Sequence, residues 1–581
     1  MARVVSPVSP VQQESDREGR PGLPRRRRPG AYPAVVACVL AVSLLSLSLT
    51  LCATWDNSPT VDEFAHLPAG VYYWRTGDLT LYDLNPPLSK LVASLPALSF
   101  GPELDVSPEL IRSARADAWG VGYLFFRRNG ADYDAMLFWS RVPIALCGAV
   151  VVGMVCFWSW ELFGWAGGVI SGLAGALCPT LLAHGGLVTP DVPLTLFWLL
   201  TLFFVWKTAV KARWYWTLAA GVCLGLALLT KYSALVLLVS LPLTMVLVVV
   251  LGRRPDGGDG NEKPGRNWKP LWHVLAAVGL AFVVAGVPYG FEGFGGFAGF
   301  RAQSRTLKTV SWLPLPLARG YVHGLDAQLV NVEKGEFTSY VNGERYKGGR
   351  WYYFPEAFAL KVPTPTLGLI VLALAVGAPA LRRPGPAFLV LTVPAVLFLL
   401  VNMFMSQLNV GIRYILPVFP CFLVGLGVLG RPGGWFRARI GVAGALVAVL
   451  LVVVVGNCPH YLAYFNRIAG GRPGGARYLL DSNIDWGQDL KRLGTFLKER
   501  DVKSVHLAYF GYIELSHYGV EVEEEPVTEE STGWVAVSTH YLYGMPYGRY
   551  GADEFAWLRG RKPVANIGGS IAVYDLGEGE D

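Results

Sequence analysis

The stretch from Trp55 to Lys90 gathers the residue types most able to do chemistry. It carries the adjacent acids Asp62 and Glu63, then His66, Asp83, Asn85-Pro86-Pro87 and Lys90, directly after an apolar run from Val35 to Ala53. Trp55, Tyr72, Tyr73, Trp74 and Tyr82 suit a segment lying at a membrane–water boundary. An acid placed at the centre of a membrane helix costs about 2.5–3.5 kcal/mol, so acids beside apolar spans need a reason. Asp191, in Thr189-Pro190-Asp191-Val192-Pro193, stands at the end of a later apolar run. Lys231, followed by Tyr232, and Arg413 stand at the mouths of two more. A carboxylate can take a proton and a cation can hold phosphate, so this set at one rim suits an anionic lipid substrate. The candidate catalytic residues are Asp62, Glu63 and Asp191; the candidate substrate-binding residues are His66, Lys90, His184, Lys231, Tyr232 and Arg413.

Each has a plainer alternative. Asp191 before an apolar run also fits a helix cap. Asp62-Glu63 also fits a solvated loop pair, and Lys231 a side chain snorkelling to headgroups. Asp62, Glu63, His66 and His184 could form a metal set, but Asp-Glu-x-x-His is not the zinc-protease pattern. A divalent metal is left open, and no other cofactor is indicated. There is no Walker loop, nucleophile elbow or dinucleotide fingerprint.

The elements that must position these residues are membrane helices. Of the 581 residues, 52% are hydrophobic and 16% charged, against about 25% charged in soluble domains. The net charge of +7 does not point to nucleic acid, because Lys and Arg cluster in short spacers between apolar runs. The cysteines show no metal spacing or disulfide framework. About eleven spans are expected: the run from Val35 to Ala53, then roughly 142–160, 167–187, 191–210, 214–230, 233–252, 272–290, 366–381, 386–404, 414–430 and 438–456, with 167–210 open to a different division because Pro179, Pro190 and Pro193 interrupt it. With residues 1–30 as a disordered basic cytosolic tail, alternation puts the short basic spacers on one side: Lys207, Lys211 and Arg213; Arg253, Arg254, Lys263, Arg266 and Lys269; Arg382 and Arg383; Arg431, Arg437 and Arg439. The polar segments 55–141, 291–365 and 457–581 fall on the other. Leu91 to Phe100 is too short to span and should lie in the interface or re-enter. The expected architecture is thus a polytopic α-helical membrane protein, with a transmembrane domain over 31–456 and a small extracytoplasmic α/β domain over 457–581. Strands are expected at 502–509, 534–538 and 571–574 and a helix at 489–500. Asp481, Asp485 and Asp489 fit helix capping better than cation binding.

Together these features resemble the polyprenyl-phosphate-dependent GT-C glycosyltransferases of the protein O-mannosyltransferase and aminoarabinose lipid A transferase type. The resemblance covers roughly 35–430: an acidic pair after the first span, Pro-Pro-Leu closing the same loop, a second Asp opening a later span, the Leu-Thr-Lys-Tyr-Ser element and Arg at a span mouth. Asp481-Ser482-Asn483-Ile484-Asp485-Trp486-Gly487-Gln488-Asp489 looks like an element that follows the last span in bacterial members. The resemblance implies an outward-facing site in a cell membrane and a sugar donor carried on polyprenyl phosphate. A protein, polysaccharide or lipid hydroxyl would attack with inversion. Asp62 would be the general base, Glu63 and Asp191 its support, and Lys231, Arg413 and Lys90 candidates for the departing phosphate. Asn85 stands where several relatives carry a basic residue, and His184 where many carry Arg nearby. A transporter or flippase of a lipid-linked glycan is the alternative; it would place charges nearer mid-membrane.

Overall fold

The computed structural model describes residues 31–104, 106, 117–251, 267–294, 300–310, 316–378 and 384–577. The tail 1–30 and the spacer cations Arg253, Arg254, Lys263, Arg266, Arg382 and Arg383 lie outside the described residues.

Helices occur in all eleven apolar stretches, but not as eleven equal spans. Among the described residues, eight helices are long and apolar enough to cross a membrane, or up to ten if two bent pairs each count as one. The stretch 167–187 is one such pair, Trp165–Ala176 and Pro179–Gly185, bent by 56°. Pro179 takes the first position of the second helix, where its missing N–H costs nothing. The stretch 366–381 begins as Thr364–Gly377, turned by 111° from Tyr353–Lys361. The stretch 214–230 is the 15-residue helix Trp214–Leu228, short of the roughly 20 residues a bilayer core needs. Leu91 to Phe100 is divided between the short α-helix Leu88–Ser94 and the 3-10 helix Pro96–Phe100.

The helix Ala118–Phe163 is the spine; it changes direction at Asn129. It packs on the first span, on Glu63–Thr76, on Trp165–Ala176 and on Asp191–Val210. Gly122 lets it approach the helix that carries Glu63, since a Cβ there would collide with the Phe64 carbonyl. The first and last spans, Tyr32–Thr54 and Phe436–Asn457, leave most of their apolar surface facing outward, whereas Asp191–Val210 and Ile412–Gly430 are mostly enclosed. The enclosed pair supplies candidate site residues. Asp191 opens its helix, and Lys207, about 24 Å along the axis, pairs with Glu161 at 2.6 Å near the other end.

The C-terminal region forms a five-stranded mixed sheet in the order Glu521–Val522, Ser504–Ala508, Trp534–Ser538, Ile571–Asp575, Ala565–Ile567. Trp534–Ser538 runs parallel to Ser504–Ala508 and antiparallel to Ile571–Asp575. The chain leading to it is wedged against the helical part. Asn466 Nδ2 donates to the Ala359 and Val362 carbonyls at 2.6 and 2.8 Å. Buried Lys361 donates to the Leu462 and Asn483 carbonyls. All eight cysteines are free.

Candidate active site

Arg413 joins two carboxylates that lie far apart in the chain. Its Nη1 is 2.9 Å from Asp62 Oδ2 and 3.4 Å from Asp191 Oδ2. Lys231 Nζ takes the other Asp191 oxygen at 2.7 Å. Asp191 is sealed, whereas the Asp62 side chain is 18% exposed and Lys231 14%, so the cluster is open on the Asp62 and Lys231 sides. Aromatic faces line it: Tyr414 lies 4.4 Å from Lys231 Nζ, and Trp486 lies 4.2 Å from the Arg413 guanidinium carbon. The backbone explains the placement. Asp62 precedes the helix Glu63–Thr76 and Asp191 opens Asp191–Val210, yet neither side chain makes a capping bond. Both carboxylates are spent on cations instead. Burial pushes Asp62 above the ordinary carboxylate value, Arg413 pulls it down, and Asp191 adds a further push upward; the net direction is up.

Glu63, one residue on, is in a different environment. Arg141 grips it with Nε at 2.8 Å and Nη2 at 2.7 Å. Thr60 adds its backbone and hydroxyl bonds at 3.0 Å each, and the Val188 N–H adds one at 2.9 Å. Arg141 spends its remaining donors on the carbonyls of Thr54, Asn57 and Ser58. Glu63 and Arg141 are 0% and 1% exposed. The pair ties the first span's end, the loop and the spine together; Glu63 has no free edge to offer a substrate.

The other candidates divide. His66 is buried, and neither ring nitrogen has a partner among the described residues. Burial first, then nearby Lys90 and Arg413, holds it neutral, well below the ordinary imidazole value. His184 is also buried, with Nδ1 unpartnered among the described residues and its ring edge-on to Trp486 at 6.4 Å. Lys90 is turned into its own loop, donating to the carbonyls of Tyr82, Asn85 and Pro86 at 2.9, 2.6 and 3.3 Å; burial lowers it to about 7. Tyr232 OH donates to the Asp83 carbonyl at 2.8 Å, tying the Lys231 segment to the first loop. Asp62, Glu63, His66 and His184 do not assemble as a metal set, because Arg141 and backbone donors occupy Glu63; among the described residues no group of three or more His, Cys, Asp or Glu could hold a metal ion.

Arg141, Ser482 and Trp486 are the residues sequence reasoning missed as part of this region. The signal for Arg141 was a lone cation just before a long apolar run. Ser482 Oγ accepts from Arg413 Nε at 3.2 Å. The capping expected of the three aspartates is not seen. Asp481 accepts from the Ser482 N–H at 2.6 Å, and Asp485 from the Gly487 and His540 N–H groups at 3.2 and 3.4 Å. Asp489 stands at a helix start, but its carboxylate goes to Arg492 at 2.6 Å and Ser570 at 2.7 Å. Burial raises Asp481 to about 6 and Asp485 to about 7.

Residues 135–255, about a fifth of the chain, match the dolichyl-phosphate-mannose-protein mannosyltransferase family. They take in Arg141, Asp191 and Lys231. No curated protein matches. Among solved structures, ArnT from Cupriavidus metallidurans bound to undecaprenyl phosphate aligns at 16% identity over 95% of this chain and 100% of that one, with a TM-score of 0.43. The apo form of that protein aligns at 18% identity over 81% and 73%, with a TM-score of 0.42. The oligosaccharyltransferase AglB from Archaeoglobus fulgidus, in complex with an inhibitory peptide and a dolichol-phosphate, aligns at 13% identity over 86% of this chain and 61% of that one, with a TM-score of 0.43.

Proposed function

We propose that this chain, a membrane glycosyltransferase of the GT-C kind, moves a sugar from a polyprenyl-phosphate donor to an acceptor hydroxyl on the extracytoplasmic side, with inversion. The observation that carries the reading is Arg413 bridging Asp62 and Asp191 beside Lys231. Donor phosphate would exchange into the guanidinium and ammonium donors, where charge-assisted bonds are strongest. That exchange leaves Asp62 free to take the acceptor proton as its oxygen attacks the anomeric carbon. The phosphate leaves with the bonding pair and stays neutralised by Arg413 and Lys231. Asp191 holds both cations in place. His66 and His184 offer buried ring nitrogens for sugar hydroxyls.

Inversion is supported by the difference between the two carboxylates. A double displacement needs a second carboxylate free to attack carbon; Asp191 is buried and bound to two cations. The extracytoplasmic side is supported by Lys207, Lys211 and Arg213 gathering at the far end of the Asp191 helix, with basic spacers facing the cytosol. The acceptor is a hydroxyl of protein, polysaccharide or lipid. The ligands in the ArnT and AglB structures are consistent with a polyprenyl-phosphate carrier.

The test incubates purified protein with radiolabelled polyprenyl-phosphate hexoses and a panel of acceptors, scoring free lipid phosphate and labelled acceptor. Matched release of both supports transfer. Lipid crossing reconstituted vesicles with its sugar bond intact would favour the flippase instead.

A further inference from the structure

The segment from Asp481 to Asp489 touches both halves of the ionic cluster. Towards Arg413, Ser482 Oγ accepts from Nε at 3.2 Å and donates to the Val410 carbonyl at 2.6 Å. Asn483 Oδ1 accepts from the Ile412 N–H at 3.0 Å. The Trp486 ring covers the guanidinium, and Gly411 leaves the room this needs, since a Cβ there would collide with Ser482 Oγ. Towards Asp62, the Val61 N–H donates to the Trp486 carbonyl at 3.0 Å and the Ser58 N–H to the Gln488 carbonyl at 2.9 Å. The segment's other side is fixed to the sheet region: Asp485 accepts from the His540 N–H, and Tyr509 OH donates to the Gly487 carbonyl at 2.6 Å.

We propose that Ser482 and Trp486 are positioning residues that set Arg413 against Asp62, so that the C-terminal region completes the active site. This rests on the transferase reading for its kinetic consequence but not for its geometry. A guanidinium has five donors in one plane. Asp62 and Asp191 take Nη1, and Ser482 takes Nε, which fixes the plane in which Nη1 meets Asp62. Trp486 acts twice, its ring packing on the guanidinium face and its carbonyl holding the segment that leads into Asp62. Loss of either contact lets Arg413 turn away, which weakens its hold on Asp62 and on an incoming phosphate alike.

The test measures the Asp62 carboxyl directly by infrared titration, with the band identified by its loss in Asp62→Asn. Groups that act on this carboxyl are Arg413, Asp191, Lys231, Asp481, Tyr414, Tyr82, Tyr512 and Tyr547, and all stay intact in the variants. Ser482→Ala and Trp486→Leu should raise the Asp62 midpoint by about one pH unit. Ser482→Thr, which keeps the hydroxyl, should restore it, and exposed Glu524→Ala should leave it unchanged. Transfer should fall about tenfold in Ser482→Ala, with its acid limb displaced the same way. An unmoved Asp62 midpoint in folded Ser482→Ala overturns the inference. If wild type transfers no sugar, the functional reading fails while the titration still decides this one.

Discussion

Two acid–base pairs begin one residue apart and have opposite fates. Glu63 meets Arg141 in a closed knot where every carboxylate oxygen and guanidinium donor has a partner inside the protein. Asp62 meets Arg413 with its side chain 18% exposed, in a cluster whose members are divided among one another. The first arrangement can only hold; the second can exchange partners. Adjacent residues at a helix start project about 100° apart, so one acid faces the helix packing and its neighbour the open rim. A saturated buried ion pair is costly to break, because removing one partner strands the other charge. An incompletely enclosed pair can surrender a bond to a substrate phosphate.

The comparison can be broken in several places. The largest expected effect is on folding: Arg141→Met should cost about 3–5 kcal/mol of stability by leaving Glu63 charged and unpaired, read as a fall in detergent-solution unfolding midpoint. Asp191→Asn should keep the fold but lower kcat/KM about 10²–10³-fold, because Lys231 and Arg413 lose their shared anchor; donor titration with steady-state kinetics reads this. A smaller effect concerns pH. The base must be deprotonated and Asp62 lies above the ordinary carboxylate value, so kcat/KM should fall as pH drops through a midpoint above about 3.9. Glu161→Gln, which breaks the partly exposed Lys207 pair at the other end of the bundle, should change stability by less than about 1 kcal/mol and leave transfer unaltered.

The convergence of Asp62, Asp191, Lys231 and Arg413 was legible because charges are rare beside apolar runs and each stood at a run's end. The strands Trp534–Ser538 and Ile571–Asp575 were legible from their apolar, β-branched make-up. The different roles of Asp62 and Glu63 were not, since adjacent acids look alike until a partner 78 positions from Glu63 selects one. Lys90 looked like a phosphate ligand by type, but three backbone carbonyls within eight residues satisfy its ammonium first. Among the described residues the spans number eight, or up to ten with both bent pairs, against about eleven expected: Trp214–Leu228 is short, and an apolar run alone does not show that Pro179 bends one stretch or that the chain turns before Thr364. The element holding Ser482 and Trp486 stood out as a motif, but its contact with Arg413 did not, because a serine and a tryptophan about 70 positions away reveal such a contact only once the chain is folded.

The most direct measurement sets Asp62→Asn beside Glu63→Gln in one assay: single-turnover release of label from a polyprenyl-phosphate sugar, with unfolding midpoints taken on the same samples. Asp62→Asn is expected to keep its midpoint and lose about 10²–10⁴-fold in rate, while Glu63→Gln loses midpoint and its folded fraction transfers near the wild-type rate. Wild-type release from Asp62→Asn would contradict the assignment of the base, and with it the distinction between the two pairs.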